Sequence, residues 1–303
     1  MIHTKFFEPV CLWDAKTLLG EGVVWVEREQ SVYFVNILEK KIYKYHLQTQ
    51  TKTIWNAPKQ PTFIFPTTGH LLLCGMEDGL YWFDPAQGKF TQWFVMQESQ
   101  EGNRLNDGYI DSLGRLWFGT MDKQEQHPFG SLYLLDFQKD GKICAVPQDS
   151  HYTVTNGPLI IEEQHKLYHN HSNEQIVYRF DWQDSGKITN KEKFLKMDKG
   201  YPDGMAVDMA NHLWICLFGG HQISVYSVDA ELVQTIPIPS LNITKIAFGG
   251  DDYKTAYVTT ATKGMTEADK QLYPLAGGLF SFKVSTPGKP QNLFQIPEMS
   301  ILK

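Results

Sequence analysis

Short apolar runs rich in aromatic and β-branched residues alternate with Gly, Asp and Asn turns along the whole chain, and the helical period is almost absent. One unit recurs: an apolar run, a polar turn, a second apolar run, another turn, and a third run ending in an aromatic or charged residue. Its first copy occupies 22–26, 31–37 and 41–47. The second run returns as His70-Leu71-Leu72-Leu73-Cys74, Arg115-Leu116-Trp117-Phe118-Gly119, Lys166-Leu167-Tyr168-His169, His212-Leu213-Trp214-Ile215 and Thr255-Ala256-Tyr257-Val258. Six units follow one another at intervals of roughly 40 to 50 residues, the period of four-stranded propeller blades. A lone four-stranded sheet leaves both faces exposed, whereas radially stacked blades cover one another. The pattern predicts an all-β, six-bladed β-propeller as a single domain over 1–303. Its blades fall at approximately 14–60, 61–100, 101–150, 151–198, 199–240 and 241–298, and the strand near 10–13 pairs with the last blade. A β-helix has shorter, more regular units, and a sandwich gives no reason for the periodic return described next.

Four polar motifs share one phase of this repeat. Glu21-Gly22, Asn106-Asp107-Gly108, Asn156-Gly157 and Asp203-Gly204 each put an oxygen-bearing side chain before a Gly that leads into an apolar run. They read as turns entering the innermost strand, which brings them to one mouth of the channel. Glu21, Asn156 and Asp203 then offer two carboxylates and one amide carbonyl, an oxygen-only set suited to Ca²⁺, Mg²⁺ or Mn²⁺, with Zn²⁺ also compatible. Taken singly, Asn-Gly and Asp-Gly are ordinary tight-turn pairs. Arg104 and Asn106 are candidates for contacting a substrate; a salt bridge and an Asx turn are the plainer alternatives.

At these motifs the chain resembles the SMP-30/gluconolactonase family, which includes regucalcin and bacterial sugar lactonases. Leu19-Gly20-Glu21-Gly22-Val23-Val24-Trp25 is similar to the family's L-G-E-G-P-x-W, Arg104 to Gly108 to R-x-N-D-G, and Gly119-Thr120-Met121 to G-T-M. Asn156-Gly157, Pro202-Asp203-Gly204-Met205, Leu213-Trp214-Ile215 with Gly219-Gly220, and Pro274-Leu275-Ala276-Gly277-Gly278 continue the series in order. The resemblance implies a six-bladed propeller with one catalytic divalent cation held by Glu21, Asn156 and Asp203. It also implies Asp203 as general base, and Arg104 and Asn106 on the substrate. The implied reaction is gluconolactonase-like opening of a sugar lactone to its aldonic acid. A non-sugar lactone or phosphotriester hydrolase at the same cation, and a non-catalytic calcium-binding scaffold, are the alternatives. Three features depart from the family pattern: Val23 in place of Pro, a short loop at 122–129, and His169-Asn170-His171-Ser172 where an Asp usually precedes the Ser. The last points to His171 as a group on the channel wall. A zinc pair of His169 and His171 finds no third ligand at suitable spacing, and Asp122 reads as a solvated loop residue.

Composition narrows the partners. The 303 residues carry a net charge of -6 with no basic stripe, which argues against nucleic acid; the partner that the resemblance implies is a small-molecule lactone. Cys11, Cys74, Cys144 and Cys216 form no CxxC pair and read as buried thiols. The opening Met1-Ile2-His3-Thr4-Lys5-Phe6-Phe7-Glu8 does not read as a signal peptide, and no run has the length of a membrane span. The expectation is a cytoplasmic protein, monomeric or weakly self-associating.

Overall fold

The computed structural model describes residues 8–96, 102–138 and 141–296; the opening segment 1–7 lies outside the described residues. Strand β1 (Val10–Trp13) comes first. Blade 1 is β2 (Gly20–Val26), β3 (Ser31–Asn36), β4 (Lys41–His46) and β5 (Lys52–Asn56). Blade 2 is β6 (Pro61–Pro66), β7 (Leu72–Met76), β8 (Gly79–Asp84) and β9 (Lys89–Val95). Blade 3 is β10 (Asn103–Ile110), β11 (Leu116–Asp122), β12 (Gly130–Phe137) and β13 (Ile143–Tyr152). Blade 4 is β14 (Thr155–Ile161), β15 (Lys166–His171), β16 (Ile176–Trp182) and β17 (Ile188–Lys196). Blade 5 is β18 (Tyr201–Val207), β19 (Leu213–Phe218), β20 (Gln222–Tyr226) and β21 (Leu232–Pro237). Blade 6 is β22 (Asn242–Gly249), β23 (Thr255–Ala261) and β24 (Leu279–Lys283). Each is an antiparallel meander, and β1 supplies the fourth strand of blade 6 by pairing with β24. The fold is an all-β, six-bladed β-propeller.

Contacts sort the chain into two compact units. One holds blades 1, 5 and 6; the other holds blades 2, 3 and 4 with the segment from Asn292 onward. Within the first, Trp214, Cys216 and Ile223 of blade 5 pack on Ile246, Phe248 and Val258 of blade 6. Tyr257 and Leu279 of blade 6 pack on Val23, Trp25 and Phe34 of blade 1. Within the second, Trp117, Leu132 and Leu134 of blade 3 meet Ile160, Leu167 and Phe180 of blade 4. The inner strands are buried along nearly their whole length, polar motifs included. The outer strands β5, β9 and β17 alternate or are largely exposed.

Three details differ from the sequence expectation. Cys74 and Cys216 are buried, but Cys11 and Cys144 lie half-exposed because they sit on the outer strands β1 and β13. A helix, α1 (Glu267–Leu272), interrupts blade 6 between β23 and β24. Its signal was present: Thr266 and Asp269 form a capping box, with the Thr266 side chain accepting from the Asp269 N–H. The last strand of blade 6 ends at Lys283, short of the expected 298; Val284 and Gly288 still bond to Lys254 and Tyr253, but further on the Phe294 N–H donates to the Pro66 carbonyl of blade 2.

Candidate active site

The polar motifs lie inside the inner strands, where the sequence suggested turns before them. In blade 1, Glu21 pairs with Val35 and Val24 with Tyr33, so three steps on β2 face two on β3. The same slip falls between Leu105 and Gly108, Asn156 and Leu159, and Pro202 and Met205. Each motif is therefore a β-bulge, a device that re-aims one side chain while the strand continues. The glycines serve it in two ways. Gly22 and Gly157 take φ of +58° and +46°, which other residues adopt with strain. Gly204 has no such φ but is required by contact: a Cβ there would stand 2.1 Å from Lys245 Cδ and 2.8 Å from the Thr244 carbonyl.

In the unit of blades 2, 3 and 4, the bulges of β10 and β14 are tied together. Arg104 Nη1 donates to Asn106 Oδ1 at 2.6 Å and to the Leu105 carbonyl at 2.9 Å. Asn106 Nδ2 in turn donates to Asn156 Oδ1 at 2.8 Å and to the Thr155 carbonyl at 2.6 Å. Asn156 Nδ2 donates to Ser172 Oγ at 2.9 Å. Arg104, Asn106 and Asn156 thus form one buried relay. Ser172 was not singled out in the sequence; its signal was only its place after the His-Asn-His run.

Asp107 has a different task. Its Oδ1 accepts the Gly108 N–H and its Oδ2 accepts the Gly157 N–H, both at 2.8 Å, so one carboxylate clasps the bulges of blades 3 and 4. Replacing Asp107 by Ala strands two buried amides, each costing about 1–3 kcal/mol. The expected result is a loss of about 2–3 kcal/mol, read from urea denaturation; a change within 0.5 kcal/mol, the range of an ordinary surface substitution, would show the clasp to be dispensable.

In the unit of blades 1, 5 and 6, Glu21 and Asp203 are 7% and 6% exposed. Glu21 Oε2 accepts the Gly22 N–H at 2.8 Å, which fixes the carboxylate over its own bulge. Strand β22 packs against both β2 and β18. Thr244 Oγ1 donates to the Gly20 carbonyl at 2.6 Å on one side, and Lys245 lies along Gly204 on the other. Lys245, 7% exposed, escaped the sequence reading because blade 6, like blade 2, lacks the oxygen-bearing residue before Gly that marked blades 1, 3, 4 and 5.

The donors available to a metal are the Glu21 and Asp203 carboxylates and the Asn156 amide, all on inner-strand bulges. Arg104 and the Thr155 carbonyl fix the Asn106 amide, whose Nδ2 donor in turn fixes which Asn156 amide atom is the oxygen; a carbonyl oxygen has two lone pairs, of which Asn106 takes one. Hard oxygens in this combination fit Ca²⁺, Mg²⁺ or Mn²⁺. Among the described residues, no three His, Cys, Asp or Glu side chains gather as a metal cluster. That finding bears on the His169/His171 zinc pair and leaves a set containing only two carboxylates untouched.

The histidines are packing groups. His169 and His171 both meet the Tyr152 ring edge-on, at 4.6 and 5.2 Å, and His171 Nε2 accepts the Thr153 N–H at 3.0 Å. This commits His171 to the junction of blades 3 and 4 and corrects its reading as a channel-wall group. His221 occupies a turn at φ +47° and bonds Leu241 and Ile238 through its backbone. Asp122 is buried and organises its loop by accepting the N–H groups of Gln124, Gln126 and His127, so it is neither solvated nor aimed outward.

His169 is fully buried and neither ring nitrogen has a hydrogen-bond partner among the described residues. Burial, reinforced by Lys191 and His171, pushes its pKa down to about 3. The unfolded chain takes up that proton near pH 6.5, so the folded state binds fewer protons between the two values. Stability is full above about pH 6.5 and falls as the pH drops toward 3. Wild-type protein is expected to lose about 2 kcal/mol between pH 7 and pH 5 through this group. His169→Phe should remove that component. Urea midpoints for both proteins at the two pH values check it, and parallel pH dependences would contradict it.

Residues 19–262 match the family model described as SMP-30/Gluconolactonase/LRE-like region. The chain belongs to this family. It is 26% identical to the 6-deoxy-6-sulfogluconolactonase of Pseudomonas putida over 94% of this chain and 97% of that one. It is 28% identical to the pentonolactonase XacC of Haloferax volcanii, covering 92% and 95%. The crystal structure of a calcium-binding protein, regucalcin, from Agrobacterium tumefaciens superposes with a TM-score of 0.89 at 24% identity, over 96% of this chain and 98% of that one, which establishes the shared fold.

Proposed function

We propose that this family member is a metal-dependent hydrolase that opens a sugar lactone to its aldonic acid, acting as a single propeller domain. The observation that carries the reading is the donor set itself: two carboxylates and an oriented amide, each on the inner-strand bulge of a different blade. The relatives named as sulfogluconolactonase and pentonolactonase support the lactone as substrate class.

Glu21, Asn156 and Asp203 would hold one divalent cation. When bound, such a cation supplies Lewis-acid polarisation of the lactone carbonyl and lowers the pKa of water. The remaining chemistry falls to side chains. Asp203 takes the proton of a water molecule as its oxygen bonds to the carbonyl carbon. The bond from that carbon to the ring oxygen then breaks, and the ring oxygen leaves with the proton that Asp203 took, as the hydroxyl of the open acid, which returns Asp203 to its carboxylate form. Arg104 donates to substrate oxygen through its planar fork, with its orientation set by Asn106 and the Leu105 carbonyl. Asn106 spans Arg104 and Asn156, so it couples the substrate contact to the ligand.

A pH-stat panel of lactones and phosphotriesters on metal-stripped protein, with each divalent cation added back, tests the reading. Cation-dependent acid release from aldonolactones is the expected result. Turnover confined to phosphotriesters would move the substrate class, and cation binding with no turnover would favour a scaffold.

A further inference from the structure

Lys245 is a buried cation at the phase where blades 1, 3, 4 and 5 carry carboxylate or amide oxygens. The register of β22 slips between Ile243 and Lys245, so blade 6 has an inner-strand bulge like the others. On one side Thr244 Oγ1 holds the Gly20 carbonyl, one residue before Glu21; on the other the Lys245 stem covers Gly204, one residue after Asp203. Lys245 therefore stands on the strand between the two that carry Glu21 and Asp203, at their level. Strands β22, β23 and β24 contain no Asp or Glu, so its anionic surroundings come from the neighbouring blades.

Charge decides what such a site favours. Two carboxylates and one ammonium sum to a single negative charge. With the divalent cation of the reading above in place, the sum becomes a single positive charge in a buried setting, where charge is weakly screened and attracts a compensating anion. A neutral lactone leaves that charge unanswered. We propose that Lys245 is a specificity residue that recognises an anionic substituent on the lactone: a carboxylate, sulfonate or phosphate remote from the ring carbonyl. This rests on the lactonase reading and narrows its substrate to acidic lactones.

The test compares kcat and KM on a neutral aldonolactone with those on lactones bearing a terminal carboxylate, sulfonate or phosphate, for wild type, Lys245→Met and Lys245→Arg. Wild type should favour at least one acidic lactone by about 10-fold or more in kcat/KM, chiefly through KM, and the three acidic arms show which anion is read. Lys245→Met, which keeps length without charge, should reduce the acidic-to-neutral ratio by about 10- to 100-fold, the size of a lost charge-assisted hydrogen bond. Lys245→Arg should retain part of the preference. Calorimetry should show a dianionic open-chain acid binding more weakly to Lys245→Met than to wild type, a readout independent of turnover. Wild-type turnover of neutral lactones without an acidic preference overturns this inference alone. Equal losses on neutral and acidic lactones in Lys245→Met assign the lysine to strand packing and overturn it as well. Should Lys245→Met fail to fold, the wild-type ratio and Lys245→Arg decide. No turnover of any lactone overturns the parent reading together with this one.

Discussion

Asp203→Asn is expected to lower kcat on a sugar lactone by about 10² or more, the scale of a lost general base. The substitution keeps the shape of the side chain and an oxygen able to coordinate, so the fold and the bulge of β18 persist. It removes one of the two carboxylates of the donor set, and with it the group that would accept the proton of water. Metal affinity should weaken but survive, because Glu21 and Asn156 are unchanged. Steady-state kinetics under metal titration separate the two effects. Wild-type kcat at saturating cation would remove Asp203 from the role of base. Arg104→Ala offers an informative contrast. Its guanidinium holds Asn106, which holds Asn156, so its loss should raise KM and also loosen the ligand relay.

Phe294→Ala is expected to destabilise the protein by about 3–5 kcal/mol, as for other fully buried aromatic residues truncated to Ala. The ring is 0% exposed and lies 6.1 Å from Trp82, 5.9 Å from Trp93 and 6.4 Å from Phe137. The segment carrying it is anchored along its length. The Phe294 N–H donates to Pro66, the Phe294 carbonyl accepts from Thr68, the Gln295 N–H donates to Gly114, and Asn292 Nδ2 donates to Ile110. Those bonds survive the truncation, so the change isolates the ring. In a chain of 303 residues the loss corresponds to a fall in Tm of about 5–8 °C. Phe294→Leu should cost markedly less. Calorimetry or urea denaturation checks both, and an unmoved midpoint in the Ala variant would show that the ring contributes nothing to the stability of the folded unit.

The fold was legible because each blade repeats the same signal. Period-two and continuous apolar runs return with Gly and Asp punctuation six times, and the aromatic second runs form the buried middles of the blades. Blade 6 shows where this stops. Its acid-glycine step is absent, so Lys245 went unread although its strand has the same bulge as the rest. The tail around Phe294 was assigned to the blade before it in sequence, since nothing in Gln291-Asn292-Leu293-Phe294 says which aromatic slot will receive it. At the candidate site, residue types were readable and partnerships were not. Asn106 as the bond between Arg104 and Asn156, and Asp107 as a clasp on Gly157, depend on pairing across some fifty residues. His171 misled for the converse reason: a polar residue beside polar neighbours turned out to be satisfied by a backbone amide and an aromatic edge.

The pairing of Val10 with Ser281 gives this chain an unusual timetable. Among the described strands, β1 is made before all the others and docked last, because its partner β24 is made after them. Until then β24's future neighbour waits as an extended apolar segment, and pairing across so long a loop is slow to form. Once formed, it covers the hydrogen-bonding edge of β24, which would otherwise invite strands from other chains. Loss of Val10–Trp13 therefore threatens solubility before it touches any chemistry.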